Sequence, residues 1–246
     1  MAANLAPIRL LTYNVHRWGD DRAAVAEVIT RCAPDVAMIQ EAPTWWGTHW
    51  RRLAFARSVG LHYVAGAART IALVADPIRW SVRRRRIRRP LIRRRKGFVT
   101  LQLPGGAVAV SQAASQAVSQ AGPPITLIGC HLGLANAARP AELRQVLQLT
   151  REGVPSVVVG DINERPGGPV WKLAADLGLS DVTSAGCPTF PAAHPQARID
   201  AVWASPGLSV RQLELAGLGI TRDLLVRASD HLPVLVQINA PARAIS

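Results

Sequence analysis

The stretch Ser156-Val157-Val158-Val159-Gly160-Asp161-Ile162-Asn163 limits the fold more than any other part of the chain. Its β-branched run reads as a buried strand that stops at a glycine. Side chains two apart on a strand point the same way, so Asp161 and Asn163 are expected to emerge side by side at its end. Gly, Asp and Asn are also common turn formers, and from these eight residues alone the plainer turn reading is favoured.

The rest of the chain repeats the pattern. Residues 8–15 read as a strand ending near Asn14, and residues 22–32 as a helix with Val25, Val28, Ile29 and Cys32 on one face, capped by Asp20 or Asp21. A second strand at 36–39 runs into Gln40-Glu41 and completes a βαβ-like opening. A helix is expected over 44–60, with Trp45, Trp46 and Trp50 as packing residues. Short strands follow at 62–64, 70–74 and 78–82, then a hairpin of 98–103 with 107–110. Residues 125–130 form a strand that delivers His131, and helices are expected at 140–151 and 170–177. A strand at 199–204 contains Asp200, and a last strand at 232–238 is preceded by Ser229-Asp230-His231. The SQA-rich segment 111–124 reads as a mobile surface insertion in one α/β domain spanning 1–246.

Composition narrows the function classes. At 246 residues and 49% hydrophobic content, the chain can bury a substantial core. It has no apolar run of membrane-spanning length and no signal-like start, which points to a cytoplasmic protein. Cys32, Cys130 and Cys187 are far apart and lack a CxxC pair, so buried free thiols are expected rather than disulfides or a zinc ribbon. Net charge is +13, and ten basic residues fall between Arg83 and Lys96. Such a local excess suits a polyanion, either nucleic acid or an anionic membrane surface. Arginine-biased composition is the competing explanation, since Lys96 and Lys172 are the only lysines.

Asn14, Glu41, His131, Asp161, Asn163, Asp200, Asp230 and His231 all fall at expected strand ends, where active sites gather in sheet proteins. Any one of them alone is an ordinary cap or turn residue. Together they offer carboxylate and amide oxygens without thiolates, which suits Mg²⁺ or Mn²⁺. Two histidines add groups that position water and stabilise charged oxygens, completing the parts needed for metal-assisted phosphate-ester hydrolysis.

In order, LTYNV (Asn14), IQE (Glu41), CHLG (His131), VVVGDIN (Asp161, Asn163), RIDAVW (Asp200) and SDHLPV (Asp230, His231) resemble the motif set of the endonuclease/exonuclease/phosphatase superfamily, the DNase I-like fold. The stretch TFPAAHPQARID further resembles small bacterial metal-dependent hydrolases of that superfamily. The resemblance implies a four-layer αββα sandwich with two mostly antiparallel sheets. It also implies that Glu41, Asn14 and Asp230 hold the metal. On the same basis His131, Asp161, Asn163, Asp200 and His231 are catalytic, with acid and base roles interchangeable. Departures include Ala201 where an aromatic is usual, no tyrosine suitably placed between the QE and GD motifs, and no clear acidic partner for His131 between Glu41 and His131.

The superfamily cleaves DNA, RNA, inositol phosphates and sphingomyelin, so only the basic run selects a substrate. It favours a nuclease acting on DNA or RNA, with Arg93, Arg94 and Arg95 as substrate-binding residues; Thr189 of the TFPAAHPQARID stretch is expected as a further substrate contact, and the protein is expected to be a monomer. The alternative is a phosphomonoesterase or phospholipid phosphodiesterase drawn to anionic lipid. A nucleic-acid-binding protein with a retired site is disfavoured by the full polar set.

Overall fold

The computed structural model describes residues 7–18, 21–44, 47–86, 97–103, 124–183 and 186–239. Trp45, Trp46, Arg93, Arg94, Arg95, the expected strand at 107–110 and all but the last residue of the 111–124 insertion lie outside the described residues. The strands are β1 Ile8–Asn14, β2 Val36–Gln40, β3 His62–Ala67, β4 Thr70–Val74, β5 Ser81–Arg86 and β6 Gly97–Leu103. They continue with β7 Ile125–His131, β8 Ser156–Asp161, β9 Ser180–Asp181, β10 Asp200–Ala204, β11 Ser209–Gln212 and β12 Val234–Asn239. The α-helices are α1 Arg22–Cys32, α2 Thr48–Ser58, α3 Arg139–Leu147, α4 Pro169–Asp176 and α5 Arg222–Ala228.

Two six-stranded sheets form, ordered β11-β12-β1-β2-β4-β3 and β5-β6-β7-β8-β10-β9. Each has one parallel pair, β1 with β2 and β7 with β8, and is otherwise antiparallel. Strand alternation divides the apolar residues into layers. Leu10, Met38, Leu101, Leu127, Val159, Val202 and Val236 meet between the sheets. The opposite face of the first sheet packs Leu11 and Ile39 against Val28 and Ile29 of α1, Phe55 of α2 and Leu224 of α5. On the second sheet, Ile128, Val158 and Trp203 meet Leu143 of α3 and Trp171 of α4. The result is the expected four-layer αββα sandwich.

Asp21 caps α1 by accepting from Ala23 and Ala24 N–H. Ala33 closes that helix in a left-handed conformation immediately before Pro34. The sequence expectation for 78–82 is only half met, because Asp76 caps a 3₁₀ turn at Pro77–Arg79 before β5 starts. β6 pairs with β5 and β7. Short β9 and β11 and helix α5 add to the expected set; their few, mixed residues give weak periodicity.

Candidate active site

The alternation that fills the core also builds the site. Ile8, Leu10 and Thr12 precede Asn14 on the inward face of β1, while Val157 and Val159 precede Asp161 on β8. His131 follows Ile125 and Leu127 on β7 in the same parity, and Asp200 shares the inward face of β10 with Val202 and Ala204. β10 and β12 run antiparallel to β8 and β1, so the residues at their starts meet the ends of β1, β7 and β8 at one rim. Asn14, His131, Asp161, Asp200 and His231 are each no more than 5% exposed there.

Three side-chain nitrogens gather around one oxygen. Asn14 Nδ2 donates to Asp161 Oδ2 across the two sheets at 2.9 Å, with His131 Nε2 at 3.3 Å and His231 Nε2 at 3.8 Å from the same atom. The other Asp161 oxygen accepts from Asn163 N–H at 2.9 Å. Asp161, after His131 in sequence, is thus the acidic neighbour that the intervening segment lacked. His231 Nδ1 lies 2.8 Å from Asp200 Oδ2, and the Phe190 ring centroid is 5.0 Å from the imidazole. Burial pulls the His231 pKa down, but the charges of Asp200, Asp161 and Asp230 and the Asp200 hydrogen bond outweigh it and raise it to about 9. The surrounding carboxylates thus favour the imidazolium form. Its Nε2 also lies 3.4 Å from Asn14 Nδ2.

Gly160 allows this geometry. Its φ is +144°, and an added Cβ would lie 1.9 Å from the Cys130 carbonyl oxygen. The Cys130 thiol belongs to the outer layer and is raised to about 12, chiefly by burial and then by the Asp161 charge, which makes it a poor nucleophile.

The expected side-by-side emergence of Asp161 and Asn163 is not observed. β8 ends at Asp161, Asn163 takes φ +56°, and its Nδ2 donates to the Leu132 carbonyl at 2.8 Å. Asn163 thus joins the loop after β8 to the loop after β7. Thr189 also differs from its expected substrate-contacting place. It is buried, and its hydroxyl accepts from Ile199 and Asp200 N–H at 3.2 and 3.3 Å, which fixes the start of β10. Ala201 and Trp203 both face the outer layer, where Trp203 packs edge-on to Trp171.

Glu41 lies at the more open mouth, with φ +58° and its side chain 21% exposed. Arg17 Nε is 3.3 Å and Arg69 Nη1 3.8 Å from its Oε2. Asp230 is also at the mouth, 3.9 Å from His16 Nδ1. The sequence reading missed His16, Arg17 and Arg69, since nothing distinguishes them from other polar loop residues. Among the His, Cys, Asp and Glu side chains of the described residues, Asp161, Asp200 and His231 bring one ligand atom each within 4.8 Å of one another. In that group His231 Nδ1 and Asp200 Oδ2 are already paired with each other at 2.8 Å. Glu41, Asn14 and Asp230 also offer oxygens of the kind a hard cation takes.

The sequence model of the Endonuclease/Exonuclease/phosphatase family matches residues 11–231. The chain belongs to that family. Family members are phosphoric ester hydrolases and generally use a divalent metal. No curated protein is significantly similar in sequence. Among solved structures, an endonuclease/exonuclease/phosphatase from Bacteroides vulgatus has 14% identity and TM-score 0.69, covering 96% of this chain and 99% of that one. ANGEL2, a 2',3'-cyclic phosphatase, has 17% identity and TM-score 0.66, with 96% and 95% coverage respectively. A mannosyl-6-phosphatase from Bacteroides thetaiotaomicron has 14% identity and TM-score 0.64, with 94% and 99% coverage. These likenesses establish a shared fold. No helix among the described residues of this family member is long and apolar enough to cross a membrane.

Proposed function

We propose that this chain is a divalent-metal-dependent phosphodiesterase that hydrolyses the backbone of DNA or RNA. The observation that carries the reading is the convergence of Asn14, His131 and His231 on Asp161 Oδ2, with Asp200 behind His231, at a buried rim. Glu41, Asn14 and Asp230 would hold Mg²⁺ or Mn²⁺, whose charge polarises a phosphate oxygen and lowers the cost of the developing negative charge.

Asp161, fixed by Asn14 and by Asn163 N–H, orients the attacking water and takes its proton. His231, kept protonated by Asp200, stabilises the phosphoryl oxygens and supplies a proton to the leaving oxygen. His131 gives a second imidazole on the same side. Asn163 preserves the loop geometry through Leu132.

The substrate assignment rests on the ten basic residues between Arg83 and Lys96. A second reading, hydrolysis of a small phosphate ester, is favoured by the activities named for ANGEL2 and the mannosyl-6-phosphatase. The discriminating assay uses supercoiled plasmid, single-stranded RNA, adenosine 2',3'-cyclic phosphate and mannose 6-phosphate, with Mg²⁺, with Mn²⁺ and with EDTA. Cleavage of the polymers, lost in EDTA and in Asp161→Ala, is expected. Turnover of the small esters alone would move the assignment to the second reading. Polymer cleavage that survives both controls would remove the mechanism.

A further inference from the structure

Left-handed backbone is concentrated at this rim. Among the described residues, seven non-glycine residues have positive φ, and six of them lie on its loops: His16, Arg17, Trp18, Glu41, Ala68 and Asn163. Such conformations are uncommon outside glycine and collect where a side chain must be held for function. Three successive ones form the turn that presents Arg17, and Ala68 immediately precedes Arg69.

The two arginine-bearing turns are anchored. Trp18 N–H donates to the Val15 carbonyl, and the Trp18 ring packs 4.5 Å from Phe55. Ala42 N–H donates to the Arg69 carbonyl at 2.9 Å. The buried Arg52 donates from Nη2 to the Pro43 and Ala68 carbonyls at 2.7 and 2.9 Å, stapling the Glu41 loop to the Arg69 turn. The Arg17 and Arg69 side chains nevertheless remain 51% and 37% exposed. Both guanidinium groups meet Glu41, the carboxylate assigned above to the metal. A cation bound there would compete for their partner and redirect them toward substrate anions.

Backbone contacts extend from the Arg69 turn toward β5. Gly97 starts β6 at the same rim, where its Cβ position lies 2.3 Å from the Ala67 carbonyl oxygen, and Thr70 Oγ1 donates to the Gly97 carbonyl at 2.8 Å. Arg86, the last residue of β5, pairs with Gly97. The backbone therefore leads from the Arg69 turn to the arginine-bearing strand β5.

Resting on the phosphodiesterase reading, we infer that Arg17 and Arg69 form a subsite for a phosphate flanking the scissile one, so that the substrate is a strand with several phosphates. The test compares wild type with Arg17→Gln/Arg69→Gln, and with the charge-preserving Arg17→Lys/Arg69→Lys, on a 12-nucleotide single-stranded DNA and on bis(p-nitrophenyl) phosphate, in Mn²⁺. The ratio of kcat/KM for the oligonucleotide to that for the small diester should fall about tenfold or more in the glutamine variant, mainly through KM. The lysine variant should recover part of that ratio. Equal loss on both substrates, or no loss on either, would overturn the subsite.

Direct binding separates this inference from the activity it rests on. In His231→Ala background with Ca²⁺, oligonucleotide anisotropy should give a salt slope smaller by about 0.7 for each arginine removed. Without oligonucleotide, Mn²⁺ should bind the glutamine variant several-fold more tightly than wild type, because no guanidinium competes for Glu41. An unchanged salt slope and unchanged Mn²⁺ affinity would overturn the subsite even if the protein cleaves DNA. If the slope and Mn²⁺ affinity shift as stated while neither substrate is cleaved, the subsite stands and the nuclease assignment fails.

Discussion

The floor and the mouth of the site are built by different means. The floor, Asn14, His131, Asp161, Asp200 and His231, consists of inward-facing positions carried to the rim, and its members lock one another across the sheets. The mouth, Arg17, Glu41 and Arg69, stands on left-handed turns, with longer contacts and partial exposure. Strand pairing gives the floor a fixed geometry suited to chemistry. The turns give the mouth charges that can exchange partners, which suits selection of what enters.

This contrast predicts where mutations act. Asp161→Asn should reduce turnover by roughly 10³-fold or more, because it removes the carboxylate assigned to take the proton of the attacking water, while far-ultraviolet circular dichroism stays native. Retention of more than a tenth of the activity would move the reaction away from the floor. Gly160→Ala should cost about 2–3 kcal/mol or more in urea unfolding, since its Cβ would collide with the Cys130 carbonyl oxygen. Wild-type stability in that variant would show that the β7–β8 contact tolerates a spacing the floor does not need.

Asp200→Asn should lower the His231 pKa from about 9 toward 6.5, measured by imidazole NMR, and reduce turnover about 100-fold. Because the folded value is raised, the charged His231 contributes stability that is fully present below about 6.5 and is lost as pH rises through about 9. In EDTA, the wild-type Tm should therefore decline across that window, and the Asp200→Asn profile should be flatter. Parallel profiles would deny Asp200 its influence on the imidazole. Glu41→Gln should have the smallest effect on folding, within about 1 kcal/mol, because its ion pairs are partly exposed, while Mn²⁺ affinity falls at least tenfold. A destabilisation as large as that of Gly160→Ala would erase the distinction between the regions.

The same contrast explains what the sequence made legible. Asn14, His131, Asp161 and Asp200 were legible as polar residues at the ends of expected strands, and SDHLPV marked His231 before β12. Arg17 and Arg69 left no such pattern, since consecutive left-handed residues and a two-residue turn have no periodicity. Asn163 was recognised as important but placed as though the strand continued; its positive φ turns the amide to Leu132. Thr189 was likewise seen in a distinctive stretch, but only tertiary contacts reveal that its hydroxyl serves the backbone of β10.

The pairing of β1 with β12, from Ile8 opposite Ile238 to Thr12 opposite Val234, also sets a timetable. β1 is synthesised long before its partner β12, so that flank of β1 stays open until β12 is made. A closure this distant in sequence favours slow folding. Asn14 and His231 meet only when it occurs. A nascent chain that has not yet released β12 therefore lacks the completed floor, and hydrolysis begins as a late product of folding.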